Sequence, residues 1–368
     1  MADKQITPFQ LTDQFTMDNF NQRINETNIA LQKMVNPNLL DNWYFVNPVD
    51  QRQGYVVPPG VAYTNVITSE TGTTETYSAV DRFDGAGKAV FVYNGAVCTC
   101  DRTAVVRGYT GVGYGIDRWK IAYNPDSLSL LVTDSGLKVG GSITTGLFLG
   151  QWFEDGFAKG LINRICTVSL LFSDGTFVTG SGVFPEKDGV DATLINTNDV
   201  IVYLQYNASS QNKPCVVMVL KNASKAVFAA KLELGSQQTL AHQENGVWVL
   251  NEIPDYGEQL RRCHGYLLDS RESGSENSYS GIANETWLLV TNVVFPEVMR
   301  EIPGVKLYNH SAVDHVRRIA DNADLSLPAS MVVSRTKNDV TFIYEPSHAD
   351  TFIKGAAYDF NVVANAEL

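Results

Sequence analysis

"ICTVSLLFSDGTFVTGSGVF" occupies Ile165 to Phe184. Two runs rich in β-branched and aromatic residues flank a polar Ser-Asp-Gly, the pattern of two strands joined by a tight turn. Asp174-Gly175 suits a type I′ hairpin, because both central residues of that turn need positive φ. Asn245-Gly246, between "LAHQE" and "VWVL", carries the same signal.

Outward from this hairpin the pattern stays β. "KAVFVYNGAVCTC", "DRWKIAYN", "LSLLVTD", "SITTGLFLGQW", "DVIVYLQY", "CVVMVL" and "AVFAAKLELG" read as strands punctuated by Gly, Asn, Asp and Pro. Eight or more strands over roughly 200 residues, with few helical periods, indicate a jelly-roll β-sandwich. The chain as a whole reads as mainly β. An N-terminal helical segment (1–35) precedes a jelly-roll β-sandwich (36–252), and a smaller C-terminal β-sandwich domain (253–368) follows. In "NLLDNWYFVNPVDQRQG" (Asn38 to Gly54), alternation sends Trp43 and Phe45 to one face and Tyr44 to the other. That stretch reads as the strand that starts the sandwich core.

In the first segment Thr16 can cap a helix. Phe20, Ile24, Thr27, Leu31 and Met34 follow at spacings of 4, 3, 4 and 3, a heptad seam with one polar interruption. So short a helix needs packing to offset its nucleation cost. Either its own domain supplies that packing, or a bundle, most simply of three chains, gathers protomers. Farther on, "PDYGEQLRRCHGYLL" has Asp255 and Glu258 as a capping box and reads as one short helix. "DSRESGSENSYSG" reads as an exposed loop, after which β pattern resumes. In the last strand Tyr358, Phe360 and Val362 share one face, Asp359 and Asn361 the other.

Composition narrows the function classes. The net charge of −12 and the lack of a Lys/Arg run argue against nucleic acid and against an anionic membrane surface. No basic stretch followed by an apolar run marks a secretory signal, and no apolar run approaches the ~20 residues of a membrane span. A chain made in a cytoplasm, without membrane insertion, is the expectation. The five cysteines follow no disulfide or metal spacing, so reduced thiols inside strands are expected, with no metal and no cofactor.

"NLLDNWYFVNPVDQRQG", "GIDRWKI" and "AKLELGSQQTLAHQENGVWVLNEIPDYGEQLRRC" together resemble a family of tail-fibre proteins from phages and prophages of gut bacteria. "FPEVMREIPGVKLY" and the final "ANAEL" look like the C-terminal fibre domain of that family. The resemblance implies a jelly roll similar to carbohydrate-binding modules. It also implies a homotrimeric receptor-binding protein of the virion tail, joined to other tail proteins and attached to the host surface through glycans. Val46 stands where such jelly rolls often carry an acidic residue that helps hold a structural calcium. "NHSAVDHVRRIADNADLSLP" looks like an insertion in the terminal domain, where a short helix would present His310, His315, Arg317 and Arg318 for recognition.

Catalytic patterns are missing from the sequence: the histidines are scattered, and no nucleophile elbow, zinc motif or P-loop occurs. A non-enzyme is expected, with a surface-polysaccharide hydrolase and a purely structural tail or baseplate component as the alternatives. Sugar binding needs only exposed aromatic faces flanked by polar side chains. Trp152, near the end of a strand where a loop could expose it, is a candidate. Tyr109 and Tyr114, in the Gly-rich "GYTGVGYG" loop, are two more. Trp119 and Trp248 are assigned to packing. With His315, Arg317 and Arg318, these make the predicted ligand-binding set.

Overall fold

The computed structural model describes residue 21 and residues 36–58, 60–68, 79–93, 95–187, 190–207, 213–270, 279–285, 288–300, 302–309, 312–313, 315–326, 332–344 and 352–366. The protein is mainly β, built from several antiparallel sheets, with one helix longer than a single turn among the described residues. Almost all of the N-terminal helical reading, the loop reading at 271–278 and His310 lie outside the described residues. Among the described residues no helix is long and apolar enough to cross a membrane. Two compact units are formed. The first is Met1–Asn47, Val56–Val112 and Ile121–Pro254; the second is Pro48–Tyr55, Gly113–Lys120 and Asp255–Leu368.

The first unit contains two large sheets. One runs Val106–Thr110, Ser129–Thr133, Gly136–Gly140, Val227–Leu234, Ile165–Phe172, Phe177–Val183. The other runs Asp191–Asn196, Val200–Asn207, Lys213–Leu220, Leu147–Trp152, Lys120–Tyr123. A smaller sheet runs Thr64–Thr68, Ala96–Asp101, Lys88–Tyr93, Val80–Phe83. Cys98 and Cys100 point from its second strand into a core with Ala89 and Phe91. All five cysteines are free and buried.

The hairpin of Ile165–Phe172 and Phe177–Val183 forms, but not with the turn expected. Phe172 N–H donates to Thr176 O (2.9 Å), and only Gly175 takes positive φ (82°). This is a Ser-Asp-Gly loop of three residues with glycine in its left-handed position, rather than a two-residue type I′ turn. Lys225 braces this loop, bonding Asp174 at 3.0 Å and Thr176 at 3.1 Å. At Asn245-Gly246 both residues have positive φ (53° and 79°), and Glu244 pairs directly with Val247. That turn is type I′.

The stretch from Asn38 to Phe45 is less regular than alternation suggests. It lies along Val227–Leu234 through Leu39 N to Leu232 O (2.9 Å), Ala230 N to Trp43 O (3.0 Å) and Phe45 N to Phe228 O (3.0 Å). Only Tyr44 forms a β bridge, to Ala229. The faces are nevertheless as expected: Trp43 and Phe45 are buried, and the half-buried Tyr44 packs edge-on to Phe228. "DRWKIAYN" is strand only from Lys120 to Tyr123. Before it, Ile116 to Trp119 make a turn, with Trp119 N–H on Ile116 O at 3.0 Å and Arg118 at φ 69°. Trp119 is fully buried, as its apolar neighbours implied.

The second unit gathers around the strand Ala357–Asn365. Its sheet order is Ala312–Val313, Gly304–Asn309, Ala357–Asn365, Tyr279–Glu285, Leu288–Val294, Asp339–Tyr344, Val332–Arg335. Tyr358, Phe360 and Val362 fill its core with Phe352, Val316 and Leu307. The helix Tyr256–His264 is capped by Asp255, whose carboxylate accepts Glu258 N–H at 2.9 Å. Glu258 pairs with Arg261 (2.8 Å) instead of reaching back, so the capping box is half-made. Gln51 ties the segment 48–55 to this unit. Its Nε2 donates to Leu267 O (2.8 Å) and Asp117 Oδ2 (2.5 Å), and its Oε1 accepts from Asp269 N (3.1 Å).

Candidate functional site

The strongest concentration of sugar-compatible groups is one face of the sheet that contains Trp152. In "DVIVYLQY" the residues Val200, Val202 and Leu204 are fully buried, so Ile201, Tyr203 and Gln205 take the opposite face. Register carries that face across the sheet. Asp191 opposes Gln205, which opposes Cys215, which opposes Trp152. Thr193 opposes Tyr203, then Val217, then Gly150. Ile201 opposes Val219, then Phe148. Tyr123 closes the row, edge-on to Phe148 with ring centroids 5.3 Å apart.

Exposure is graded across this face. Asp191, Thr193 and Tyr123 are exposed, while Gln205, Tyr203 and Phe148 are half-buried. Cys215, Val217, Val219 and Trp152, on the same face, are buried among them. Glycine at 150 is what lets Trp152 fold back over its own strand. A Cβ there would meet the indole at 2.7 Å. Burial, with the charge of Asp191 behind it, pushes the Tyr203 phenol up to about 12, so this hydroxyl keeps its proton and can donate. Burial, reinforced by Asp191, likewise pushes the Cys215 thiol up to about 12. The face therefore offers ring surfaces for sugar C–H groups. Beside them stand a carboxylate that accepts from hydroxyls, an amide that does both, and a phenol that donates.

The predicted residues fare unevenly. Trp152 belongs to this face, but as its floor: it ends the strand Leu147–Trp152 and is 4% exposed, so no loop presents it. Tyr109 is not on a loop. It is half-buried in the strand Val106–Thr110, opposite Leu130. Tyr114, in the second unit, is half-buried with Arg52 at 5.0 Å and Lys120 at 5.6 Å from its ring centre.

The predicted helix around His315 is a β hairpin, His315–Arg318 against Asp324–Ser326. Its cations are held internally. His315 Nδ1 contacts Asp324 (2.8 Å), Arg317 makes a two-pronged pair with Asp359, and Arg318 pairs with Asp321. The Arg317 pair serves the central strand, where Asp359 is itself buried. Alternation along the hairpin also puts Arg318 on the face opposite His315 and Arg317.

Tyr123, Phe148, Tyr203, Asp191 and Gln205 escaped the sequence reading. The alternation in "DVIVYLQY" was the available signal, because it separates Tyr203 and Gln205 from the apolar half of the strand. Glycoside cleavage would need a pair of carboxylates, one of them protonated. Asp174 and Asp199 both bond Lys225, at 3.0 and 2.9 Å. Hydrogen bonds hold both below the usual carboxylate range, Asp174 at about 2, so neither can serve as a general acid near neutrality. The chain matches no family model, no curated protein and no solved structure.

Proposed function

We propose that this chain is a receptor-binding protein of the phage tail-fibre type, attaching the particle to a bacterial surface through glycans. The observation that carries the reading is the outward sheet face of Tyr123, Phe148 and Tyr203 bordered by Asp191, Thr193 and Gln205. It combines apolar ring surface with polar groups of both hydrogen-bonding senses, which is what a polyhydroxylated ligand requires. The resemblance to tail-fibre sequences supplies the biological setting. We read the two large sheets of the first unit as the jelly roll of that resemblance and the protein as a homotrimer in the virion tail. Attachment then rests on weak single sites made effective by linkage on one particle.

The test is adsorption of the full chain to a panel of enteric bacteria before and after periodate oxidation of surface glycans. A Tyr123→Ala/Phe148→Ala variant is measured in parallel. Periodate treatment abolishes adsorption, and the variant adsorbs at least about tenfold more weakly, on the scale of a lost aromatic anchor. Adsorption indifferent to periodate sinks the glycan reading, and an unimpaired variant removes this face from it.

A further inference from the structure

The other large sheet of the first unit has its own outward strip, and its chemistry is distinct. Along Phe177–Val183 the residues Phe177, Thr179, Ser181 and Val183 share one face. Gly180 and Gly182 take the opposite face, where a Cβ would collide with Leu194. The hairpin Ala241–Glu244/Val247–Leu250 brings Trp248 onto Phe177 as a stacked pair, centroids 4.1 Å apart and planes 22° from parallel. Both rings are half-exposed, and each uses only one of its two faces in the stack. Thr179 and Ser181 are exposed.

The hydroxyl hydrogens on this strip are already committed. Thr179 donates to Val168 O at 3.1 Å, so its 3.0 Å contact with Ser169 is a bond it accepts. Thr167 donates to Gly235 O at 2.7 Å, so in its 2.7 Å contact with Ser181 it is Ser181 that donates. Both outer oxygens are left with acceptor lone pairs and no proton to offer. Lys231 and Glu233 on the same sheet are fully buried and spent on Thr239, at 2.9 Å and 2.7 Å. Lys225, which bonds Thr176 beside Phe177, is already paired with two carboxylates, Asp174 at 3.0 Å and Asp199 at 2.9 Å. A ligand here must stack on an aromatic face and donate hydrogen bonds. It gains nothing from carrying negative charge.

We propose that this strip is a second glycan-binding site, selective for neutral, linear polysaccharide whose hydroxyl or acetamido N–H groups donate to Thr179 and Ser181. Linearity follows from the arrangement: the four positions lie along one strand over about 20 Å at the usual rise per residue. The proposal rests on the glycan-attachment reading, which it extends to two sites per chain with different preferences.

The test is calorimetric titration of the full chain with cellohexaose, chitohexaose and maltohexaose, and with a sulfated counterpart of whichever binds. Compared with the parent chain are Trp248→Ala, Trp248→Phe, Thr179→Val/Ser181→Ala and the Tyr123→Ala/Phe148→Ala variant, each checked by thermal melting. The parent chain binds at least one neutral hexaose and binds its sulfated form more weakly. Trp248→Ala and the hydroxyl variant weaken this binding by about tenfold or more, while Trp248→Phe retains it. The binding survives Tyr123→Ala/Phe148→Ala. Failure of every neutral hexaose to bind, preference for the sulfated form, or undiminished binding by Trp248→Ala each overturns the proposal. Failure of the broader reading is seen separately, as adsorption to cells that periodate does not affect.

Discussion

At the scale of single residues, burial settles what the titratable groups can do. Cys166 and Cys215 sit in strands, and burial pushes their thiols up to about 11 and about 12. Thiolate is the reactive form, so native protein should react with a thiol reagent at pH 8 far more slowly than denatured protein, which exposes all five cysteines. Rapid labelling of Cys166 or Cys215 in the native state, located by mass spectrometry, would contradict the packing. Asp174 behaves in the opposite way. Its carboxylate accepts Thr176 N–H and pairs with Lys225, which lowers it from 3.8 to about 2. Its stabilising contribution is therefore complete above pH 3.8 and is lost as pH falls toward 2. Thermal melts at pH 5 and pH 2.5 should show a larger drop for the parent than for Asp174→Asn, and equal drops would deny the carboxylate this role. Sequence marked Asp174 as a turn residue but could not reveal Lys225, some fifty positions away, as its partner.

At the scale of elements, alternation reports a strand's faces but not what covers them. Asp359 and Asn361 face away from Tyr358, Phe360 and Val362 as expected, yet all five are buried, and the polar face is met by Arg317 on Asp359 and Ser270 on Asn361. A polar residue on such a strand needs a partner, and Arg317 provides one for Asp359. Sequence read the same arginine as a recognition group because its basic run is equally compatible with a surface helix. Glycines at alternate positions of Phe177–Val183 carry a comparable ambiguity. Their lack of a side chain is what admits Asp191–Asn196, since a Cβ at 180 would strike the Leu194 carbonyl oxygen. Gly180→Ala should thus cost about 1–3 kcal/mol by overpacking. Urea unfolding measures it, and an unchanged midpoint would mean that the neighbouring strand yields freely.

At the scale of the whole molecule, the proposed attachment depends on linked sites. If residues 1–35 gather three chains, deleting them should leave single-site sugar affinity unchanged. Avidity for cells should then fall by ~10²–10⁴-fold, the range for linked sites of suitable geometry. Sedimentation gives the accompanying mass, and a deletion with the parent's mass and adsorption would free that segment from any role in assembly. The sequence by itself determined the β class, the type I′ turn at Asn245-Gly246, the capped helix after Asp255, and the burial of Trp43, Phe45 and Trp119. These rest on local propensity and periodicity, which act between neighbours in the chain. Only the tertiary structure decided that Trp152 is a floor rather than a platform, and that residues 48–55 and 113–120 join the C-terminal unit. It alone aligned Asp191, Gln205, Tyr203, Phe148 and Tyr123. Strand register, close approach at glycine and long-range hydrogen bonds decide such things, and none of them leaves a period in the sequence.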